Sequence, residues 1–228
     1  MVKLSPKKLT VHFWDKDSGL TSMLILLFVS NFLVMPFFSE RPVVSLLMRA
    51  FWFFLLIAGI TTLSRNKKHI KFLIFVPILF VLVSVLGYFL DNPLLGYVDF
   101  LTTVAVLSLL TWMVLLKVFE AGPVTIHRVI GAIVAYMLIG NIWAFMYHFI
   151  YMEVPGSLQI PGMTEYTAAS PVTFLYFSYT TLTTTGYGDI LPLNTLTRTL
   201  SNIEQLVGVL FPAVLIGRLV SLISDKSK

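Results

Sequence analysis

The chain has 228 residues, of which 57% are apolar or aromatic and 12% charged, with a formal net charge of +5. Soluble domains carry roughly 25% charged residues, so this balance excludes an ordinary soluble globule and predicts an integral membrane protein. Cysteine is absent, which excludes disulfides, thiol catalysis and thiolate metal sites, and in such a protein a positive balance signals topology, not nucleic-acid binding.

A membrane-crossing helix needs about 20 mostly apolar residues. Six stretches meet that requirement: Leu20–Phe38, Val43–Leu63, Ile70–Leu90, Tyr97–Phe119, Arg128–Met152 and Thr195–Ile223. The first follows a basic N-terminus but lacks a small-x-small cleavage site, so it is expected to stay as an anchor. Polar breaks at 39–42, 65–68, 91–93 and 120–123 separate the stretches, and their Pro and Gly residues end one helix and start the next. Pro77 is expected to kink the third span.

Positive charge sets the orientation. Lys3, Lys7, Lys8 and Lys16 precede the first span; Arg65, Lys67, Lys68 and Lys71 separate the second and third. Lys117 and Arg128 flank the fourth-to-fifth connection, and Arg218, Lys226 and Lys228 close the chain. The opposite loops carry Glu40, Asp91, Glu153 and Glu165 with few bases. Both termini are therefore expected in the cytoplasm, with the protein multi-pass in the plasma or inner membrane.

Glu153–Asn194, between the fifth and sixth spans, is too long for a tight turn. Ser170 suits an N-cap and Pro171 a first helical residue, and the aromatic run that follows to about Leu182 is too short to cross. It predicts a re-entrant half-helix. The half-helix leads directly into Thr183-Thr184-Thr185-Gly186-Tyr187-Gly188-Asp189. Irregular backbone at membrane depth is tolerated only where protein buries it or water contacts it. Gly186 and Gly188 can take positive φ at little steric cost. Alternating them with other residues lets successive carbonyl oxygens face one side, and four such strands around an axis can replace the hydration shell of a cation.

These residues resemble the potassium channel superfamily, in particular small bacterial six-helix proteins with a two-helix pore domain. The resemblance covers roughly 128–224 and rests on Thr184–Asp189, the aromatic half-helix before them, Pro192 and Arg198 after them, and Gly208 at the family's hinge spacing. It implies an all-α homotetramer in the lipid bilayer, with K⁺ in an axial filter and neither organic cofactor nor nucleic-acid partner. The backbone carbonyls of Thr184, Thr185, Gly186 and Tyr187, in a filter closed by Gly188, would coordinate K⁺, and the Thr184 hydroxyl would add the innermost ligand. Asp189 would brace the outer mouth, with Tyr176 as its phenol donor. Two positions depart from the family. Thr185 stands where many relatives have Val or Ile, and puts a hydroxyl behind the filter. Thr180 stands where some relatives hold a carboxylate, so that brace cannot form.

The remaining candidates are weighed against packing roles. Gly208 and Pro212 in the last span either aid packing or form a hinge; the spacing favours the hinge. Val209, Pro212, Ile216 and Val220 would share the pore face, an apolar lining suited to a dewetting gate. Glu204 is ionisable within a span and is expected behind the filter as a structural brace, bonded to half-helix hydroxyls or paired with Arg198. Glu153 and Glu165 read as solvated acids, His148 as an interfacial histidine, and Arg49 with Asp99 as a structural ion pair.

The fourth span lacks the regularly spaced arginines of a voltage sensor. The expected organisation is therefore a cytoplasmic segment (1–19), a sensor-like four-helix domain without its charges (20–120) and a pore domain (121–228). No nucleotide loop, metal cluster or nucleophile triad appears, so no enzyme is expected. The function expected is passive K⁺ conduction that is not voltage-gated. The alternatives are a weakly selective cation channel and a non-conducting membrane sensor with a vestigial pore.

Overall fold

The computed structural model describes residues 18–38, 51, 82, 93–120, 125–163 and 169–224. Apart from Phe51 and Leu82, the second and third predicted spans, with Arg49 and Pro77, lie outside the described residues. So do Glu40, Asp91, Glu165, the side chain of Val220, and the basic residues of 3–16, 65–71 and 226–228.

The described chain is mostly helical. Helix α1 (Ser18–Val29) passes through a π-helical turn (Ser30–Val34) into the short α2 (Met35–Phe38). Helix α3 is Pro93–Val118, α4 is Ile126–Glu153, α5 is Pro171–Leu182 and α6 is Thr195–Ser224. Two-residue strands β1 (Leu158–Gln159) and β2 (Leu191–Pro192) pair antiparallel, with Leu158 opposite Pro192 and Gln159 opposite Leu191. Among the described residues, four helical stretches are long and apolar enough to cross a membrane: 20–37, 94–118, 126–153 and 195–218.

Their boundaries follow local chemistry. Helix α3 begins at Pro93, four residues before the predicted start, because proline at a first helical position gives up an N–H that would have no intrahelical partner anyway. Asn194 caps α6: its Oδ1 accepts the Thr197 N–H at 2.8 Å. Ser170 holds the cap position of α5 with extended backbone but makes no side-chain capping bond.

Helix α4 is the spine. Tyr97, near the start of α3, meets the end of α4 at Phe149 (ring centroids 5.7 Å apart) and donates a 2.6 Å hydrogen bond to Glu153. At the other end Val118 lies against Gly131, so α3 and α4 run antiparallel. Leu20 also lies against Gly131, and Met35 shares a small cavity with Asn141 and His148. Helix α1 therefore runs parallel to α4. Fully buried Leu27, Leu107, Leu110, Val134 and Leu138 centre this core. The second half of α4 packs on α5 through Tyr147, Tyr151, Phe174 and Phe177. Glu153 thus accepts a bond that joins two helix ends, beyond the solvated role expected of it, and His148 stacks on Phe174 at 4.9 Å.

Candidate functional site

Helix α5 begins beside the last turns of α4, where Phe174 meets His148 and Tyr151. It ends beside the middle of α4. There Tyr136 donates to the Leu182 carbonyl at 3.0 Å and Ser178 to the Gly140 carbonyl at 2.8 Å. Gly140 permits this approach: a Cβ there would lie 3.1 Å from the Tyr179 ring. The chain then turns back and returns, through Ile190, to β2, which pairs with β1 just beyond the end of α4.

The last four carbonyls of a helix have no intrahelical donor. In α5 each finds one. Tyr179 O accepts from Thr183 N (3.0 Å), Thr181 O from Thr184 N (2.9 Å) and Thr180 O from Gly186 N (3.1 Å), while Leu182 O takes the Tyr136 hydroxyl. These bonds orient the loop. N–H and C=O of a trans peptide point in opposite directions. With the N–H groups of Thr184 and Gly186 turned toward α5, the carbonyls of Thr183 and Thr185 are turned away from it.

The loop also alternates in hand. Thr184 (φ 58°), Gly186 (φ 53°) and Gly188 (φ 77°) are left-handed, and Thr185 and Tyr187 between them are not. In a strand of one hand successive carbonyls alternate sides; inverting every second residue is the backbone condition for bringing them to one side. Gly186 and Gly188 take the positive φ expected of them. Thr184 does so against its chemistry, since the left-handed region costs a residue with a Cβ about 1–2 kcal/mol and is an outlier for a β-branched one. Strain of this kind persists where the surroundings over-determine it, here by the Thr184 N–H bond to α5.

At the far end of the loop, Tyr176 donates to Asp189 Oδ2 at 2.7 Å. The Asp189 backbone arrangement adds an Ile190 N–H to Oδ1 at 3.0 Å. The Tyr176 hydrogen bond holds the Asp189 carboxyl below the usual 3.8, and reciprocally pushes the phenol up to about 12. The Tyr187 ring lies parallel to that of Tyr176, 6.3 Å away. All of Thr183–Asp189 is exposed in the single chain. Thr180 turns its hydroxyl back to the Phe177 carbonyl.

Residues 124–225 match the family model described as "Ion channel". The chain carries an ion channel domain. That family is not one of enzymes, and a bilayer is the environment it implies. No curated protein matches the chain.

Behind the loop of the channel domain, Glu204 is fully buried and joins three helices. Ser178 of α5 lies 2.6 Å from Oε1, and the Tyr147 hydroxyl of α4 donates to Oε2 at 2.7 Å. The half-helix hydroxyl expected as a partner is thus Ser178. Arg198 is not part of the cluster; its Nε donates to the Pro192 carbonyl at 3.1 Å, because it sits about 1.7 turns before Glu204, on the β2 side. Gly208 is buried against α5: a Cβ there would collide with the Leu182 carbonyl oxygen. Helix α6 runs unbroken through Gly208 and Pro212. Pro212 has no N–H, so the Gly208 carbonyl loses its i+4 donor.

Several contacts carry no signal in the sequence. Asn31, in the π turn, donates to the Tyr179 hydroxyl at 2.9 Å, which donates to the Met137 carbonyl at 3.2 Å. Tyr136 and Tyr147 read as membrane-helix aromatics until α5 is placed against them. The left-handed Thr184 was within reach: it precedes Gly186 and Gly188 at the same spacing of two.

Proposed function

We propose that the chain is a K⁺-selective channel in which four copies surround one axial pathway. The reading rests on a single observation, the alternation of backbone hand at Thr184, Gly186 and Gly188 in a loop that follows a helix ending at mid-height of α4. In this reading α5 is a re-entrant pore helix. The carbonyls of Thr184, Thr185, Gly186 and Tyr187 replace the water shell of K⁺, and the Thr184 hydroxyl adds a ligand. Helix α6 lines the cavity below, and its junction at Gly208 and Pro212 is where it bends.

Two further features support assembly. Irregular polar backbone in a bilayer must be covered by protein or water, yet Thr183–Asp189 is bare in one copy. Half of the most apolar stretch of α4 is buried within the single chain, against 17% of that of α6. Leu206, Val209, Leu210, Val214 and Ile216 leave apolar surface on α6 for neighbouring copies, lipid and the pathway to share. Helix α3 carries no arginine, and its charged residues, Asp99 and Lys117, stand near its two ends, so conduction is expected to be weakly voltage-dependent. The charge pattern of the loops supports cytoplasmic termini.

The test is flux through purified protein in liposomes, with K⁺ and Na⁺ compared. K⁺ flux well above Na⁺ flux is expected, and Gly188→Asp should abolish the preference by putting a side chain where positive φ is needed. Equal fluxes would replace this reading with a weakly selective cation channel. Absence of flux would leave a non-conducting sensor.

A further inference from the structure

A chain of oxygens runs through the junction of α4, α5 and α6. Gly140 O lies 2.8 Å from Ser178 Oγ, Ser178 Oγ lies 2.6 Å from Glu204 Oε1, and Glu204 Oε2 lies 2.7 Å from the Tyr147 hydroxyl. Each separation is a hydrogen-bond length and needs its own proton. Serine and tyrosine bring one proton each, and a carbonyl brings none. The Tyr147 proton lies toward Oε2, because the other oxygen near the phenol, Ser201 Oγ, is 3.4 Å away. The Ser178 proton cannot fill both gaps beside it. Given to Glu204, it would leave Gly140 O and Ser178 Oγ 2.8 Å apart with nothing between them. Given to Gly140 O, it leaves the gap to Oε1, which only a proton on the carboxyl itself can fill.

Charge leads to the same count. Glu204, Ser178 and Tyr147 are fully buried, and an ionised carboxylate out of water is costly unless a cation pairs with it. Among the described residues none does: its side-chain partners are Ser178 and Tyr147. Helix α5 has no basic residue, and its two tyrosines bond to Asp189 and to the Met137 carbonyl. On α4, Tyr136 gives its proton to Leu182 O and His148 stacks on Phe174; on α6, Arg198 turns to Pro192.

We infer that Glu204 is a proton-binding site, a neutral acid whose O–H donates to Ser178 and locks α6 to the half-helix that carries the loop. Releasing the proton leaves an anion where the fold offers no cation and takes away the donor to Ser178. The tie between α5 and α6 is then lost just behind Thr183–Asp189. The junction therefore answers to pH, and alkali unlocks it. The proton site rests on the geometry alone; its effect on conduction rests on the channel reading above.

The experiment compares the full-length parent with Glu204→Gln, whose amide copies the neutral acid by donating to Ser178 and accepting from Tyr147. Infrared spectra in lipid at neutral pH read the carbonyl stretch of protonated carboxyl groups. One such band is expected in the parent and not in the variant. Melting is then followed from neutral to alkaline pH. A proton kept in the fold and given up by the unfolded chain makes stability fall as pH rises, by up to about tenfold per pH unit in the folded-to-unfolded ratio. The parent should show that fall in excess of Glu204→Gln. In liposomes buffered alike on both sides, K⁺ flux should decline with rising pH more steeply in the parent than in the variant. The same protonated-carboxyl signal in both proteins, equal pH slopes in melting, or a Glu204→Gln chain that does not fold would each overturn the proton site. Equal decline of flux in the two, with the band lost, would overturn the switch. A parent without flux removes the channel reading and the switch together, and the infrared and melting results still decide the proton.

Discussion

The two ends of the Thr183–Asp189 loop are held by different physics. The end that leaves α5 is fixed by backbone: four helix carbonyls accept from Thr183, Thr184, Gly186 and Tyr136, and behind them lie buried Gly208 and Glu204. The end that returns to β2 is held by one exposed phenol–carboxylate bond and a parallel ring pair. Buried backbone bonds have nowhere else to go, and leaving one unmade costs the full desolvation of the group. An exposed ionic hydrogen bond competes with water and is weakened by salt and acid. The first end is therefore set by steric fit and donor count, the second by conditions.

Substitutions can sharpen that contrast, beginning with the largest expected effect. Gly208→Ala should destabilise by about 3 kcal/mol, because the collision is with backbone and overpacking of a core already costs about 1–3 kcal/mol. The sign decides the matter: at an uncrowded helix position, alanine would stabilise by about 1 kcal/mol. Denaturant unfolding in detergent, or the yield of folded protein, reads the difference. A stabilised variant would return Gly208 to a purely flexible role.

Next come the two hydroxyls that touch the Glu204 carboxyl. Ser178→Ala and Tyr147→Phe should each cost about 2 kcal/mol, in the range for removing a hydrogen bond to a buried acid. The two losses should fail to add, since the groups share one carboxyl. Additive losses in that double-mutant cycle would show that Glu204 does not couple α4 to α5.

Smaller effects are expected at the junction of α1 with α5. Tyr179→Phe takes away the acceptor of Asn31 and the donor to Met137, at a cost of about 1–2 kcal/mol. Adding Asn31→Leu should recover most of that loss, because replacing both partners of a buried polar pair with apolar groups is nearly neutral. The Asn31 Oδ1 is buried without a partner among the described residues, which strengthens the expectation. Thermal unfolding of the single and double variants tests it. No recovery would mean that Asn31 is held by something other than Tyr179.

The smallest effect belongs to the outer end. The Asp189 carboxyl is held below 3.8, chiefly by the Tyr176 phenol. A depressed carboxyl contributes stability above its ordinary value and loses it as pH falls through its lowered one. Tyr176→Phe should therefore be slightly less stable than the parent at pH 7, with the gap closing as pH drops below 3.8 toward the lowered value. Melting curves across that range, at low salt, give the check; a gap that persists or widens in acid would sink the pairing as its source.

Much of this was legible in the residues themselves. The lengths of the apolar runs follow from bilayer thickness, and the four spans described lie within a few residues of where composition puts them. Pro171 opens α5 for a reason internal to proline, and Gly186 with Gly188 announce left-handed backbone because no other residue takes it so cheaply. The spacing of two also carried Thr184, had a β-branched residue been allowed in that conformation. The sequence likewise contained Glu204 as an ionisable residue in a span, and so a residue needing partners.

Which partners it has was not written there. Ser178, Tyr147 and Glu204 are separated by 26 and 57 residues, and only the crossing of α4, α5 and α6 brings them within bonding distance. The same holds for Tyr136 at the Leu182 carbonyl and for Asn31 at Tyr179. Gly208 shows the limit most clearly. From sequence, Gly208 reads as a hinge by its match to the family's spacing, because local backbone freedom is all that sequence displays. In the fold the same glycine is the point at which α6 touches the end of α5, because a missing Cβ acquires meaning only when another chain segment occupies its place.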